Sequence, residues 1–256
     1  MKAFYTICLL IISMMSQAQE KPDTNFHLYL LIGQSNMAGR GAVDAESKQQ
    51  DPQILMLDSN NRWLPATDPV HFDKPEIAGV GPALSFAKEM LGTDKNIKIG
   101  LIPCAVGGSP IRVWEPGAFY APNFHPYDDA MKRARLAMQQ GVLKGILWHQ
   151  GESDNDSVRA PSYLEKLKTL VNRLRSELHQ PNLPFIAGEI GYFIKDDFIN
   201  SFINQLPQQM PNTGVVSAKC LTDKGDHLHF DTPSARELGK RYARAMKKLQ
   251  KPDNKK

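Results

Sequence analysis

The residues that decide the fold are LYLLIGQSNMAG, positions 28–39. Residues 28–32 are apolar and predict a buried strand. Ser35 follows on a turn between Gly33 and Gly39, and small neighbours of this kind allow a sharp passage from strand to helix. In an α/β sheet such a turn lies at the carboxyl edge, where ligands bind. The stretch therefore predicts an α/β fold that exposes a serine hydroxyl at its binding edge.

Apolar runs and helical spacing recur along the rest of the chain. The predicted strands are His27–Ile32, Ile97–Pro103, Gly145–Trp148, Pro184–Ile190 and Gly214–Ala218. The predicted helices are Pro82–Leu91, Tyr127–Gln140, Tyr163–His179 and Thr232–Leu249. This alternation predicts a mostly parallel sheet that helices cover on both faces. Two long stretches, about residues 41–81 and 109–126, are predicted to be irregular loops that wall a binding cleft.

Length and composition favour one globular domain. The chain has 256 residues, of which 41% are hydrophobic and 23% are charged, as in ordinary globular proteins. Its net charge of +4, from 31 Lys and Arg against 27 Asp and Glu, is too weak to indicate nucleic-acid binding. The last lysines predict a frayed, solvated tail; they are Lys247, Lys248, Lys251, Lys255 and Lys256.

The first residues have the pattern of a secretory signal peptide. Lys2 supplies a positive charge, residues 4–15 are a short apolar run, and residues 16–18 form a small-x-small cleavage site. Cleavage after Ala18 would leave a single domain, residues 19–256, in the periplasm or outside the cell. The alternative is a membrane anchor, although the apolar run is below the length of a span. No membrane span is therefore expected after cleavage.

Ser35 needs a base, because a serine hydroxyl is a weak nucleophile until its proton is removed. His229 is the candidate base, and Asp226 is the candidate carboxylate that orients its ring. Their spacing of three places both side chains on the same side of a tight turn. The pair His227 and Asp223 has similar spacing and is the alternative.

Attack by serine creates a negative oxygen, which needs preorganised hydrogen-bond donors. The candidates are the backbone N–H of Ser35, the backbone N–H of Gly107 or Gly108, and the side-chain amide of Gln150. Gly108 is favoured over Gly107, although the residues do not separate the two. All of these positions follow predicted strands and therefore share one rim of the sheet.

Glu152, Asp154 and His149 cluster beside Gln150 in the sequence. With the histidines at 227 and 229 they could be interpreted as a metal site, but their spacing fits no metal motif. The preferred interpretation is that Glu152 and Asp154 support the loop and that His149 is a packed strand residue. The residues thus indicate a serine esterase that needs no cofactor.

Four ordered blocks resemble those of the SGNH-type carbohydrate esterases, in the subgroup of sialate O-acetylesterases and family 6 acetylxylan esterases. They are GQSNM (33–37), GGS (107–109) followed by Trp114, WHQGESD (148–154) and DHLHF (226–230). The resemblance runs from about residue 27 to residue 245. It implies a flavodoxin-like three-layer α/β/α sandwich with a five-stranded parallel sheet in the order 2-1-3-4-5.

The resemblance also implies metal-free removal of O-acetyl groups from carbohydrate through an acetyl-serine intermediate. Ser35, Asp226 and His229 would be catalytic, and Ser35, Gly108 and Gln150 would form the oxyanion hole. The supporting residues would be Gly107 and Glu152, and Trp114 and Arg112 would line the substrate cleft. The substrate would be acetylated xylan, sialic acid or a related glycan, and the oligomeric state is not predicted.

Two rivals remain open from the sequence. A catalytically inactive carbohydrate-binding protein could use the same scaffold, and a metal-dependent hydrolase would be sensitive to chelators. The implied strand order also bears on the cysteines, because it places Cys104 and Cys220 at opposite edges of the sheet. Four strand spacings of about 4.8 Å separate them by on the order of 19 Å, and a disulfide needs Cα atoms within roughly 7 Å. No bridge is expected.

Overall fold

The computed structural model describes residues 21–120 and 125–251. Its strands are β1 (Asp23–Gly33), β2 (Ile54–Leu57), β3 (Trp63–Pro65), β4 (Lys98–Pro103), β5 (Gly141–His149), β6 (Phe185–Gly188) and β7 (Thr213–Val216). Its helices are α1 (Ser35–Ala38), α2 (Ala83–Leu91), α3 (Pro126–Ala137), α4 (Tyr163–Glu177), α5 (Asn200–Ile203), α6 (Leu206–Gln209) and α7 (Thr232–Gln250). The signal-peptide prediction, residues 1–18, lies outside the described residues.

One seven-stranded sheet has the order β3-β2-β4-β1-β5-β6-β7. All neighbouring strands are parallel except β3, which pairs antiparallel with β2 at one edge. The five strands predicted from the sequence are present in the order 2-1-3-4-5. The predicted count of five was wrong, because the segment 41–81 contributes β2 and β3. These strands have four and three residues, too few for their periodicity to be distinguished from a loop.

The central strand β1 has two buried faces, which accounts for its continuous apolar sequence. Leu28, Leu30 and Ile32 pack into the cluster that also buries the inner faces of α3 and α4. Tyr29 and Leu31 pack into the second cluster, with α2 and α7. The alternation of side chains along a strand thus divides the core into two layers, and the α/β/α sandwich is confirmed.

Gly33 brings the nucleophile turn against the end of β5. Its φ is +128°, and a Cβ at this position would lie 2.1 Å from the carbonyl oxygen of His149. Only glycine fits such a close approach of two backbones. The amide of Gln34 then donates to the same carbonyl at 2.8 Å. The turn that carries Ser35 is therefore fixed beside the loop that follows β5.

Helix α7 includes two of the five lysines that were predicted to form a frayed tail, and Lys255 and Lys256 lie outside the described residues. Helix α7 begins at Thr232, where the Asp231 carboxylate accepts from the amide of Ser234, and it continues to Gln250. Lys247 and Lys248 are therefore helical residues, and Lys247 Nζ donates to the carbonyl of Glu89 in α2. Lysines are favourable in the last turn of a helix, where they face its negative end.

Cys104 and Cys220 are free thiols in the structure. Cys104 follows β4 and Cys220 follows β7, so four strand spacings separate the two positions. Within residues 21–120 and 125–251, no helix combines the length and the apolar composition that a membrane crossing requires.

Candidate active site

Ser35, His229 and Asp226 form a hydrogen-bonded chain at the carboxyl edge of the sheet. Ser35 begins α1, directly after β1, and its Oγ lies 3.0 Å from Nε2 of His229. The Nδ1 atom of His229 lies 2.7 Å from Oδ2 of Asp226. Since the carboxylate accepts at Nδ1, that nitrogen carries the proton and Nε2 is free to accept from the serine hydroxyl. This arrangement is that of nucleophile, base and orienting carboxylate.

The alternative base, His227, lies away from this chain. Its side chain is 81% exposed, and Nδ1 lies 3.8 Å from Oδ2 of Asp223. The structure gives it no hydrogen bond to Ser35 within the described residues. The geometry therefore favours the pair Asp226 and His229 over the pair Asp223 and His227.

The turn that carries His229 is built by Asp226. Its Oδ1 accepts from the backbone amides of Leu228 at 3.0 Å and His229 at 2.8 Å, which is the local turn that an aspartate side chain favours. Partial burial acts to raise the pKa of Asp226, but hydrogen bonds from the backbone and ring of His229 and from the backbone of Leu228 outweigh it. The pKa therefore lies well below its usual range, and Asp226 carries its negative charge at neutral pH.

The loop after β4 shows which of the two candidate glycines, Gly107 or Gly108, has an N–H available for the oxyanion. The amide of Gly107 donates to Oδ2 of Asp73 at 2.8 Å, so this N–H is already used. Gly108 has a φ of +85°, and its amide makes no hydrogen bond within the described residues. Ser153 Oγ donates to the carbonyl of Gly108 at 2.9 Å and fixes the peptide from the other side. Gly108 thus keeps a free N–H, and Gly107 is a supporting residue.

The side chain of Gln150 does not have the oxyanion-donor role that the sequence predicted for it. Its side chain is fully buried, and Nε2 donates to Oδ2 of Asp154 at 2.7 Å and to Oε1 of Gln34 at 3.1 Å. A carboxamide has two N–H donors, so none remains for an oxyanion. The prediction that Gln150 is an oxyanion donor was therefore wrong, because its amide holds the loop after β5 to the nucleophile turn.

Gln34 is the residue that the sequence analysis missed. Its side chain lines the cleft, and its Oε1 accepts from Gln150 Nε2 and from the amide of Ser153 at 3.3 Å. With Oε1 held by two donors, the planar amide is fixed, and its Nε2 makes no hydrogen bond within the described residues. Its position next to Ser35 was the available signal, but the sequence does not show which way a turn side chain points.

Asn36 and Glu152 lie beneath the catalytic chain. Glu152 lines the cleft floor and accepts at Oε1 from Nδ2 of Asn36. Burial raises the pKa of the Glu152 carboxyl, and burial lowers the pKa of the neighbouring His149 to about 3. His149 is fully buried, as a packed strand residue is expected to be. Glu152 thus holds Asn36 through this hydrogen bond, and Asn36 is a second residue that the sequence analysis passed over.

Trp114 and Arg112 do not line the substrate cleft. Trp114 is 2% exposed and packs edge-on against Trp148, with ring centroids 5.3 Å apart. Its Nε1 donates to Oγ of Ser109 at 3.0 Å. The short turn Ile111–Val113 directs its apolar residues and Trp114 into the core and leaves Arg112 exposed. Both cleft predictions were therefore wrong.

The cleft over Ser35 is open and has a volume of about 310 Å³. Two partly exposed apolar side chains, Ile77 and Leu228, and one lysine, Lys74, form part of its wall. Its lining residues are Gln34, Ser35, Arg40, Lys74, Ile77, Gly107, Gly108, Glu152, Ser153, Leu228 and His229. Ile77 and Lys74 come from the segment 41–81, which therefore contributes to the cleft as the sequence predicts.

A buried ion pair supports the glycine loop. Arg40 Nη2 lies 3.0 Å from Oδ2 of Asp73, and the two side chains are 3% and 2% exposed. The same Oδ2 accepts from Gly107, and a Cβ on Gly107 would lie 2.5 Å from Arg40 Nη2. Within the described residues, no group of three or more His, Cys, Asp or Glu side chains is placed to hold a metal ion.

Comparison with known proteins places this geometry in a family. The family model described as carbohydrate esterase, sialic acid-specific acetylesterase, matches residues 25–248. The chain belongs to this family. This chain is 35% identical over 251 residues to the probable carbohydrate esterase At4g34215 of Arabidopsis thaliana. The aligned region covers 88% of this chain and 92% of the relative.

Three solved structures share the fold of this chain. The X-ray structure of At4g34215 matches with a TM-score of 0.77 and 33% identity, and covers 88% of this chain and 99% of that one. The structure of NanS matches with a TM-score of 0.69 and 19% identity. This match covers 90% of this chain and 98% of the NanS chain. XAC1771, a carbohydrate acetylesterase from Xanthomonas citri, matches with a TM-score of 0.69 and 20% identity. This match covers 88% of this chain and 56% of the XAC1771 chain. The resemblance inferred from the four sequence blocks is confirmed, and the protein is a carbohydrate esterase that acts in deacetylation.

Proposed function

We propose that this esterase removes O-acetyl groups from a glycan through an acetyl-Ser35 intermediate. One observation carries the proposal. The Ser35 hydroxyl at the base of an open cleft lies 3.0 Å from His229 Nε2, and Asp226 holds the opposite ring nitrogen at 2.7 Å. These distances are within the range that proton transfer requires.

The reaction follows from the proton positions. His229 Nε2 takes the proton from Ser35 as its Oγ attacks the acetyl carbonyl, and the charged Asp226 stabilises the imidazolium that forms. The imidazolium then protonates the departing sugar oxygen, which leaves acetyl-Ser35. A water molecule gives a proton to His229 as it attacks the acetyl group. The imidazolium then returns this proton to Ser35 Oγ as the bond from Oγ to the acetyl carbon breaks, which releases acetate and restores the serine.

The negative oxygen of each tetrahedral intermediate needs donors that are already in place. The backbone N–H groups of Ser35 and Gly108 are the first two. The third is Nε2 of Gln34, since Gln150 and Ser153 hold its amide in a fixed orientation. Gln34 thus takes the role that the sequence analysis gave to Gln150.

The substrate that we propose is an acetylated oligosaccharide or polysaccharide, either acetylated xylan, an acetylated sialic acid or a related glycan. We also propose that residues 1–18 direct export, so that the enzyme meets its substrate in the periplasm or outside the cell. Sequencing the N-terminus of the protein purified from each cell fraction tests this, and a mature protein that retains residue 1 in the cytoplasm would contradict it.

The experiment that tests the chemistry is acetate release by Ser35→Ala, from an aryl acetate and from a panel of acetylated polysaccharides and acetylated sialosides. We expect turnover to be abolished while the fold is retained. Ser162→Ala, at an exposed serine before α4, is the matched control and should be fully active. Activity of Ser35→Ala near the wild-type rate would contradict the mechanism. Glycan binding by the wild type without any acetate release would support the inactive binding protein instead.

A further inference from the structure

The side chain of Asn36 joins the nucleophile turn to the loop that carries the base. Asn36 follows Ser35 directly and is 3% exposed. Its Nδ2 donates to Oε1 of Glu152 and to the carbonyl of Leu228 at 3.0 Å. Its Oδ1 accepts from the amide of Phe230 at 3.1 Å. The two backbone partners are the residues on either side of His229.

We propose that Asn36 and Glu152 form a positioning pair that sets the distance between the His229 loop and Ser35. The proposal rests on the catalytic roles proposed above for Ser35 and His229. Asn36 fixes the loop, and Glu152 fixes the orientation of Asn36.

The other hydrogen bonds of the His229 loop join residues within the loop itself, so the bonds to Asn36 are needed to fix its position relative to Ser35. Asp226 and Asp223 accept from amides of residues 225–229, and the amide of Lys224 donates to the carbonyl of His229. These bonds hold the ring of His229 to Asp226, but they do not place either residue relative to Ser35. Within the described residues, Asn36 supplies the hydrogen bonds between the loop 225–230 and the turn after β1, apart from the bond between His229 and Ser35 itself.

Glu152 decides which way the carboxamide of Asn36 faces. Two acceptors, Glu152 Oε1 and the carbonyl of Leu228, require the nitrogen on one side, and the amide of Phe230 requires the oxygen on the other. A hydrogen-bonding set of this kind excludes the flipped amide. Loss of the Glu152 acceptor would leave one buried N–H of Asn36 without a partner.

Burial raises the pKa of the Glu152 carboxyl, although hydrogen bonds from Asn36 and from backbone amides act in the opposite direction. Tyr242 uses its hydroxyl proton on the carbonyl of Trp148, so it can only accept from Nδ1 of His149 at 3.0 Å. The Nε2 atom of His149 therefore carries a lone pair, and this atom lies 3.8 Å from Glu152 Oε1. No Lys or Arg lies within salt-bridge distance of Glu152 in the described part of the chain.

The test compares Asn36→Ala, Glu152→Leu, the double variant and Glu152→Gln with the wild type on an aryl acetate. A displacement of about 1 Å at a reacting group costs on the order of 100-fold in rate, so we expect kcat of Asn36→Ala to fall by about 100-fold with KM unchanged. The acid limb of the pH–rate profile should not move, because Asp226 and His229 stay together in the displaced loop. A change that acts on the imidazole itself would move that limb.

Glu152→Leu should resemble Asn36→Ala, and the double variant should be no worse than the worse single variant, since the two residues act as a unit. Glu152→Gln is the conservative rescue, because it keeps an acceptor oxygen for Nδ2 of Asn36. The kcat of Glu152→Gln should fall by less than about tenfold, which corresponds to the loss of one neutral hydrogen bond. His227→Ala, an exposed change in the same loop, is the control. If Asn36→Ala does not fold, Asn36→Asp replaces it, because it keeps the acceptor for Phe230 and loses both donors.

Three results would overturn the positioning pair: wild-type kcat in the Asn36 variant, additive losses in the double variant, or a Glu152→Gln as impaired as Glu152→Leu. Ser35→Ala, measured in parallel, separates this failure from that of the proposed function. An active Ser35→Ala refutes the serine mechanism, whereas an inactive Ser35→Ala beside a fully active Asn36→Ala refutes only the pair.

Discussion

Replacing Asp73 by asparagine removes the negative half of a buried ion pair and keeps the size of the side chain. The side chains of Arg40 and Asp73 are 3% and 2% exposed and lie 3.0 Å apart. The carbonyl oxygen of an asparagine at 73 can still accept from the amide of Gly107, so that hydrogen bond is kept. The guanidinium of Arg40 would then be buried without its counter-ion, at a cost of about 3–5 kcal/mol in the free energy of unfolding.

For a domain of this size, each kcal/mol shifts the melting temperature by about 2–4 °C, so Asp73→Asn should lower Tm by about 6–20 °C in scanning calorimetry. Glu165→Gln is the control, since it breaks a surface pair in which the glutamate is 72% exposed and which contributes at most about 1 kcal/mol. The double variant Arg40→Met/Asp73→Asn removes the unpaired charge and should melt above Asp73→Asn. The reasoning fails if Asp73→Asn melts within the range of the control.

Three further predictions concern protons. Asp226→Asn should lower the rate, because the ring of His229 loses the carboxylate that holds the proton on Nδ1 and stabilises the imidazolium; a wild-type rate would contradict the pairing. His229→Ala should be nearly as damaging to acetate release as loss of the nucleophile, and His227→Ala should have little effect; the reverse order would assign the base to His227. Burial raises the pKa of Asp68 to about 7, above about 3.9 in the unfolded chain, so the folded state binds more protons between these values. Stability in urea should therefore fall as pH rises from about 4 to about 7 and level off above, and Asp68→Asn should lack this decline; identical pH profiles would refute it.

The parts of the fold that follow from local chemistry were predictable. An apolar run followed by a glycine-flanked serine predicts both the buried β1 and the place of Ser35, because strand burial and a close backbone approach leave few alternatives. The turn at Asp226 was predictable for the same reason, since an aspartate side chain bonds to amides two and three residues further on. Its spacing alone brings a carboxylate to an imidazole.

The errors concern side chains whose role depends on distant partners. Gln150 appears as a free amide in the sequence, yet its donors are used by Gln34, 116 residues away, and by Asp154. Trp114 was expected in a loop at the cleft, but its ring packs edge-on against Trp148 in the core, a contact that only the folded sheet provides. Nothing in the spacing of these residues contains that information.

Ser35 and His229 are 194 positions apart in the sequence and meet only in the folded chain. Ester hydrolysis can therefore be used as an assay for the completion of folding. The hydrophobic layer around Trp114 and Trp148 is built from residues between Phe26 and Met210, whereas the reactive pair exists only after the later loop that carries His229 has closed on the turn after β1. A refolding chain would therefore regain tryptophan burial before it regains the ability to cleave an ester. A fragment that ends before residue 229 lacks the base that Ser35 needs, as well as helix α7.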